Sequence, residues 1–161
     1  MMKLFEILAI ILLSSTFACS QSKKMFDIDE SYKGVIVTKD VDIFVDDKKE
    51  WFEPTLEEVK KAEQMLANQI EKINKWKLNQ VSKQCPVIDK NLNKYIRQYI
   101  GYTNTSGEKI ILINMLWAKD VDYGGLDTEY ILVFDGCSHY WKVKVNLSSG
   151  KVYDLEINGS A

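Results

Sequence analysis

The sequence predicts an α+β domain: one long N-terminal helix packed on a curved four-stranded antiparallel sheet, with an extra strand ahead of the helix. Three observations carry that expectation. Apolar residues recur at three- and four-residue steps from Leu56 to Trp76, and beyond Tyr95 the period falls to two. Turn signals then punctuate the second half, at 104–107, 135–136 and 148–150. Helical periodicity followed by strand periodicity, without alternation between them, is the pattern of a helix segregated to one face of an antiparallel sheet.

In chain order, Lys3 supplies a positive start, and an apolar run from Leu4 to Leu13 follows, broken only by Glu6. Small residues then lead into Thr16-Phe17-Ala18-Cys19. This is the layout of a secretory signal peptide over 1–18, whose apolar stretch is too short to span a bilayer as a permanent helix. Cysteine directly after a small residue resembles the lipobox of bacterial lipoproteins, with Thr16 where Leu is usual and Phe17 where Ala or Ser is usual. That resemblance implies lipidation of Cys19, which becomes the first mature residue and carries thioether-linked diacylglycerol plus an amide-linked chain. The other reading of the leader is plain secretion. Residues 19–32 are polar, charged and aperiodic, the composition of a lipidated tether. Asp27, Asp29 and Glu30 within it read as solvated charges rather than cation ligands. A single domain occupies 33–161.

Val35, Ile36, Val37, Val41, Ile43 and Val45 make 34–45 a strand or two strand fragments, closed by a turn at 46–49. Thr55 followed three residues later by Glu58 is a capping box, each side chain satisfying a backbone N–H left open at a helix start. Leu56, Val59, Ala62, Leu66, Ile70 and Ile73 then form one face and Lys60, Lys61, Gln64, Asn68 and Lys72 the other, giving a helix over 55–76. A helical turn is expected at 89–94, after Cys85-Pro86. Strands at 95–102 and 109–117 flank the hairpin turn Asn104-Thr105-Ser106-Gly107. Residues 119–128 read as a loop, and 129–134, 139–147 and 151–158 as further strand segments. The layout these segments fit is a four-strand meander that wraps the helix.

That element order resembles the cystatin-like group of folds. A closer resemblance rests on Phe52-Glu53-Pro54-Thr55, Tyr95-Ile96-Arg97-Gln98-Tyr99-Ile100-Gly101-Tyr102, Gly107-Glu108-Lys109-Ile110-Ile111-Leu112-Ile113-Asn114 and Val143-Lys144-Val145-Asn146-Leu147-Ser148-Ser149-Gly150-Lys151-Val152. These runs look like a family of small bacterial envelope lipoproteins, to which no chemistry is assigned. Where that family commonly has Asp-Gly-Gly, this chain has Asp135-Gly136-Cys137.

The chain has 161 residues, with 21 Lys and Arg against 23 Asp and Glu, for a net charge of −2. That mild acidity argues against nucleic acid as a partner, which calls for a basic stripe. It also argues against attachment to a membrane by overall charge. The expected partners are therefore the lipid bilayer, through acylated Cys19, and an envelope protein. Each buried methylene of the anchor contributes ~0.8 kcal/mol. With Cys19 consumed, Cys85 and Cys137 remain. They are either a disulfide, which would contribute roughly 2–4 kcal/mol by restricting the unfolded chain, or two separate thiols.

Chemistry-bearing patterns are sparse. His139 is the single histidine, and a zinc site needs three or four convergent ligands. Asp135, Cys137 and His139 alternate as a strand start would. Lys39-Asp40-Val41-Asp42 recurs as Lys119-Asp120-Val121-Asp122, without the glycine-containing loop that calcium sites use. No hydrolase elbow, metalloprotease helix, phosphate loop or dinucleotide fingerprint occurs. No catalytic residue, metal or cofactor is expected. Aromatics crowd the sheet half, including Tyr102, Tyr123, Tyr140 and Tyr153. Tyr95, Arg97, Tyr99, Trp117, Tyr130 and Trp141 are residue types that dominate binding surfaces, and they also suit ordinary sheet packing. The expectation is a non-catalytic protein-binding module of the bacterial cell envelope, at the outer membrane facing the periplasm, of inhibitor or immunity type. The alternative is a pocket between helix and sheet, lined by Trp117, Tyr130 or Trp141, for a lipid, glycan or peptide. A third reading, an enzyme, would need carboxylates gathered beside a Tyr or His139.

Overall fold

A computed structural model of the chain describes residues 26–29, 32–80, 84–122 and 124–159. The signal peptide predicted over 1–18, Cys19, most of the tether predicted over 19–32 and Tyr123 lie outside the described residues. Among the described residues the architecture is α+β, with one α-helix and a mostly antiparallel sheet.

The helix, α1, spans Leu56–Ile73. Thr55 caps it as its spacing predicts: the Glu58 N–H donates to Thr55 Oγ1 at 3.2 Å and the Thr55 N–H donates to Glu58 Oε2 at 2.9 Å. Val59, Ala62, Leu66 and Ile70 are buried against the sheet. The helix stops three residues earlier than its apolar period, because Lys77 and Asn79 take left-handed backbone angles (φ 46° and 53°) that turn the chain away.

The strands are β1 (Phe26–Asp29), β2 (Tyr32–Ile36), β3 (Lys48–Phe52), β4 (Tyr95–Asn104), β5 (Lys109–Trp117), β6 (Tyr140–Asn146) and β7 (Lys151–Ile157). Their order is β1-β2-β4-β5-β6-β7, and every pairing is antiparallel except β2 with β4. β3 pairs with β4 beyond the point where β2 ends, so two segments share one edge of β4 end to end. Glycine permits this crowding. A Cβ on Gly34 would lie 2.6 Å from the Tyr99 ring, and one on Gly101 would lie 2.5 Å from the Phe52 carbonyl oxygen.

The sheet is thus wider than the four-stranded expectation. Residues 26–29 and Tyr32, which fall within the tether predicted over 19–32, belong to strands. The strand character predicted for 34–45 ends at Ile36. Beyond it Val37 and Ile43 are buried in an irregular strap across the face of the sheet opposite α1. The turn predicted at 46–49 is confined to Asp46 and Asp47, and Lys48 already pairs with Asn104. Lys144, buried between Asp47 (3.3 Å) and Asp154 (3.1 Å), ties this strap to the sheet.

Residues 129–134 are not a strand. Their backbone is held from below by amide side chains of the sheet. Gln98 Nε2 donates to the Leu126 and Glu129 carbonyls, the Ile131 N–H donates to Gln98 Oε1, and Asn114 Nδ2 donates to the Ile131 carbonyl. Side chains thereby take the place of a neighbouring strand. Cys85 and Cys137 form a disulfide (Cα–Cα 5.9 Å), joining the connection after α1 to the 3₁₀ turn Cys137–His139 that precedes β6.

Candidate binding cleft

β4, β5 and β6 have two apolar faces, and their alternation sends every second residue to each. On the α1 side lie Tyr95, Tyr99, Ile111, Ile113, Met115, Trp141 and Val143, closed by the buried stripe of the helix. On the other side lie Ile100, Tyr102, Ile110 and Leu112 under the first strap, and Ile96 and Leu116 beside Leu126.

This division decides the predicted binding surface. Tyr95, Arg97 and Tyr99 do share a face, but it is the face beneath the helix, where all three are buried. Trp141 is buried as well, with its ring edge-on to Tyr95 at 5.6 Å. These four are core residues, and the surface expected from them is corrected accordingly. The space between helix and sheet that the pocket reading requires is filled at their position. Trp117 is half-buried, edge-on to Tyr95 at 5.1 Å and to His139 at 4.8 Å. Of the six, Tyr130 lines a cleft on the opposite side, which the buried Trp141 also borders.

Arg97 finds its carboxylate internally. Its Nε lies 3.1 Å from Glu63 Oε1, which also accepts a 2.8 Å hydrogen bond from the Tyr99 hydroxyl. Arg97 Nη1 donates to the Tyr95 carbonyl at 2.6 Å, and the guanidinium stacks 4.2 Å over the Tyr32 ring. Glu63 escaped notice in the sequence, although it interrupts the apolar stripe Val59, Leu66, Ile70 at the position where an apolar residue belongs.

The cleft, about 340 Å³, lies between residues 130–134 and the outer face of β5, β6 and β7. Leu116, Tyr130, Ile131 and Val133 make its apolar wall. Phe44, Leu132 and Phe134 stand at its mouth and are exposed, Phe134 by 84% and Leu132 by 40%. Lys142 and Glu156, paired at 3.1 Å, put one ion pair on the floor. Asn158 Nδ2 donates to the Val133 and Asp135 carbonyls and fixes the far end of the second strap, residues 130–134. Burial, with the Glu156 charge adding, pushes the Tyr130 hydroxyl up to about 12, so it stays a neutral donor at ordinary pH.

Nothing in the residue pattern pointed to Phe44, Leu132 or Phe134 as exposed groups. A signal was present in Gln98 and Asn114, two amides in the middle of apolar strands that prove to be direct cross-strand partners.

The remaining sequence candidates fall elsewhere. Cys137 is committed to its disulfide, and His139 Nδ1 lies 3.2 Å from the Gly136 carbonyl. Among the described residues no group of three His, Cys, Asp or Glu could hold a metal ion. The repeated Asp pairs do local work: Asp40 pairs with Lys48, while Asp42 and Asp122 accept the N–H of Phe44 and Gly124 within their own turns.

No family model, curated protein or solved structure matches the chain.

Proposed function

We propose that this chain is a lipid-anchored, non-catalytic binding module of a bacterial cell envelope, held by acylated Cys19 at the outer membrane facing the periplasm. It takes a protein partner on the side of its sheet that α1 leaves uncovered. The observation carrying this reading is the exposure of Phe44, Leu132 and Phe134 around one apolar cleft. Three large apolar side chains converging on a concave site resemble the centre of a protein interface more than scattered surface residues. An inhibitor or immunity role is the specific form, since the strap is pinned beforehand by Gln98, Asn114 and Asn158 and little ordering is left for binding. The cystatin-like layout is part of the same proposal, supported by a long helix preceding four successive antiparallel strands.

A photo-crosslinking side chain at position 134, in cells making the full chain, should join it to one discrete envelope protein. Leu132→Asp should abolish that adduct. A crosslinker at exposed Lys60, on α1, should give none. Adducts that are absent, or equal at both positions, would refute the proposed interface.

A second reading, a small apolar ligand in the same cleft, is favoured by the cleft's volume, which lies in the range of small-molecule sites, and by the Tyr130 donor in its wall. Native mass spectrometry showing a stoichiometric small molecule, displaced by Leu116→Trp, would select it over the protein partner.

A further inference from the structure

At the C-terminal end of α1 the chain makes a turn whose outward side chains are Trp76 and Leu78, exposed by 75% and 67%. Such exposure of Trp and Leu at the end of a loose connection would mean little. This turn is not loose. Asn74 and Gln80, both buried, exchange side-chain hydrogen bonds of 3.0 and 2.6 Å across its base. Asn74 also donates to Asp89 at 2.6 Å, and Gln80 accepts the Ile88 N–H and donates to the Leu78 carbonyl. Asn79 reaches β7 and donates to the Asn158 carbonyl at 2.8 Å. The residues on either side of Leu78, Lys77 and Asn79, hold left-handed angles that L-residues adopt at a cost. A buried polar network and two strained residues are thus spent on holding one tryptophan and one leucine out in water.

The charge exposed on the turn is basic, the side chain of Asp89 at its base being buried. Lys72, Lys75 and Lys77 are exposed on the same turn, and the Lys75 ammonium lies 4.9 Å over the Trp76 ring. From 72 to 88 the sequence contains four lysines, counting Lys83 outside the described residues, and no Asp or Glu. Glu71, one residue before this stretch, is the nearest acid along the chain. The whole chain is mildly acidic, so the basic character is local to this tip.

We infer that the Trp76–Leu78 turn is a membrane-contact tip, which seats its two apolar side chains among the headgroups of an anionic bilayer while the surrounding lysines face lipid phosphates. Tryptophan favours the interface because its ring is apolar with one polar edge, and lysines beside it gain from the negative surface potential. A basic, apolar contact is also the second signal that makes a lipid anchor hold firmly. The reach is compatible with the proposed anchor. Seven residue steps from Cys19 to Phe26 span at most about 24 Å, and the six strands from β1 to β7 are about as wide, at ~4.8 Å per strand spacing. The tip goes beyond the proposed anchor and does not depend on it.

The test uses the full chain purified from membranes and returned to vesicles of phosphatidylethanolamine and phosphatidylglycerol, or of phosphatidylcholine alone, each containing brominated lipid. Tryptophan emission should be quenched in the anionic vesicles, and that quenching should be lost in Trp76→Phe, since Trp51 and Trp117 are half-buried and Trp141 is buried. Lys72→Gln, Lys75→Gln and Lys77→Gln together should lose it too, with the fold unperturbed because all three are exposed. Quenching that is unchanged in Trp76→Phe, or equal in the two kinds of vesicle, would overturn the tip. The intact mass of the mature N-terminus separates this result from the anchor. An unacylated chain that is still quenched through Trp76 refutes the anchor and supports the tip. An acylated chain without Trp76-dependent quenching does the reverse.

Discussion

Arg97 is fully buried, which for an arginine requires a partner, and Glu63 on α1 provides it. The arrangement is finely balanced. Among the described residues Arg97 Nη2 has no hydrogen-bond partner, and the guanidinium is held by Glu63, the Tyr95 carbonyl and the face of Tyr32 together. Removing one side of a buried pair leaves the other charge uncompensated, which costs about 3–5 kcal/mol. Glu63→Ala should therefore lower the urea midpoint sharply, and Glu63→Leu combined with Arg97→Met should recover most of the loss. Midpoints that fall by the same amount in both variants would mean that packing, not charge, is what Glu63 contributes. At this scale the sequence was half legible. The shared face of Tyr95, Arg97 and Tyr99 follows from strand alternation, but alternation does not say which face the helix will cover. Only the acidic interruption of the α1 stripe pointed inward.

Elements with their own local signal were legible almost to the residue. The 109–117 strand has the bounds its pattern predicts, and α1 begins at its capping box. That box carries a pH dependence. Burial alone would raise Glu58, but hydrogen bonds from Lys109 and Thr55 outweigh it and hold the carboxyl below its ordinary value of 4.5. A group with a lowered folded value stabilises the fold above its unfolded value, and that contribution is lost as pH falls through the folded one. Thermal midpoints should therefore drop on acidification below about pH 4.5, and the drop should be shallower in Glu58→Gln; parallel curves for the two proteins would contradict this. Elements held by distant side chains were not legible. Residues 129–134 have the composition of a strand, and what keeps them out of the ladder is a pair of amides on β4 and β5. β3 is equally hidden, because Lys48, Lys49 and Glu50 open it and it pairs only where β4 offers a free edge. The cleft inherits this illegibility, since it exists only where the strap crosses the sheet.

At the scale of the whole molecule, the disulfide links positions 52 apart and closes β4, β5 and the 130–134 segment into one covalent loop. Restricting the unfolded chain in this way is worth roughly 2–4 kcal/mol. Cys85→Ser with Cys137→Ser should lower the thermal midpoint while leaving the far-ultraviolet spectrum of the folded protein unchanged. A midpoint insensitive to the change would show that the 85–94 connection is held by its hydrogen bonds alone. The end-to-end sharing of one β4 edge has a different kind of consequence. β2 has no inner neighbour except β4, and β3 pairs with β4 too, so the first strands to be synthesised wait for one made after the helix. Until it arrives they can offer only a short two-stranded ribbon, which is marginal in water. For a polypeptide exported as proposed, that delay is useful: its leading portion cannot lock into shape early, and so it enters a narrow translocation channel still threadable.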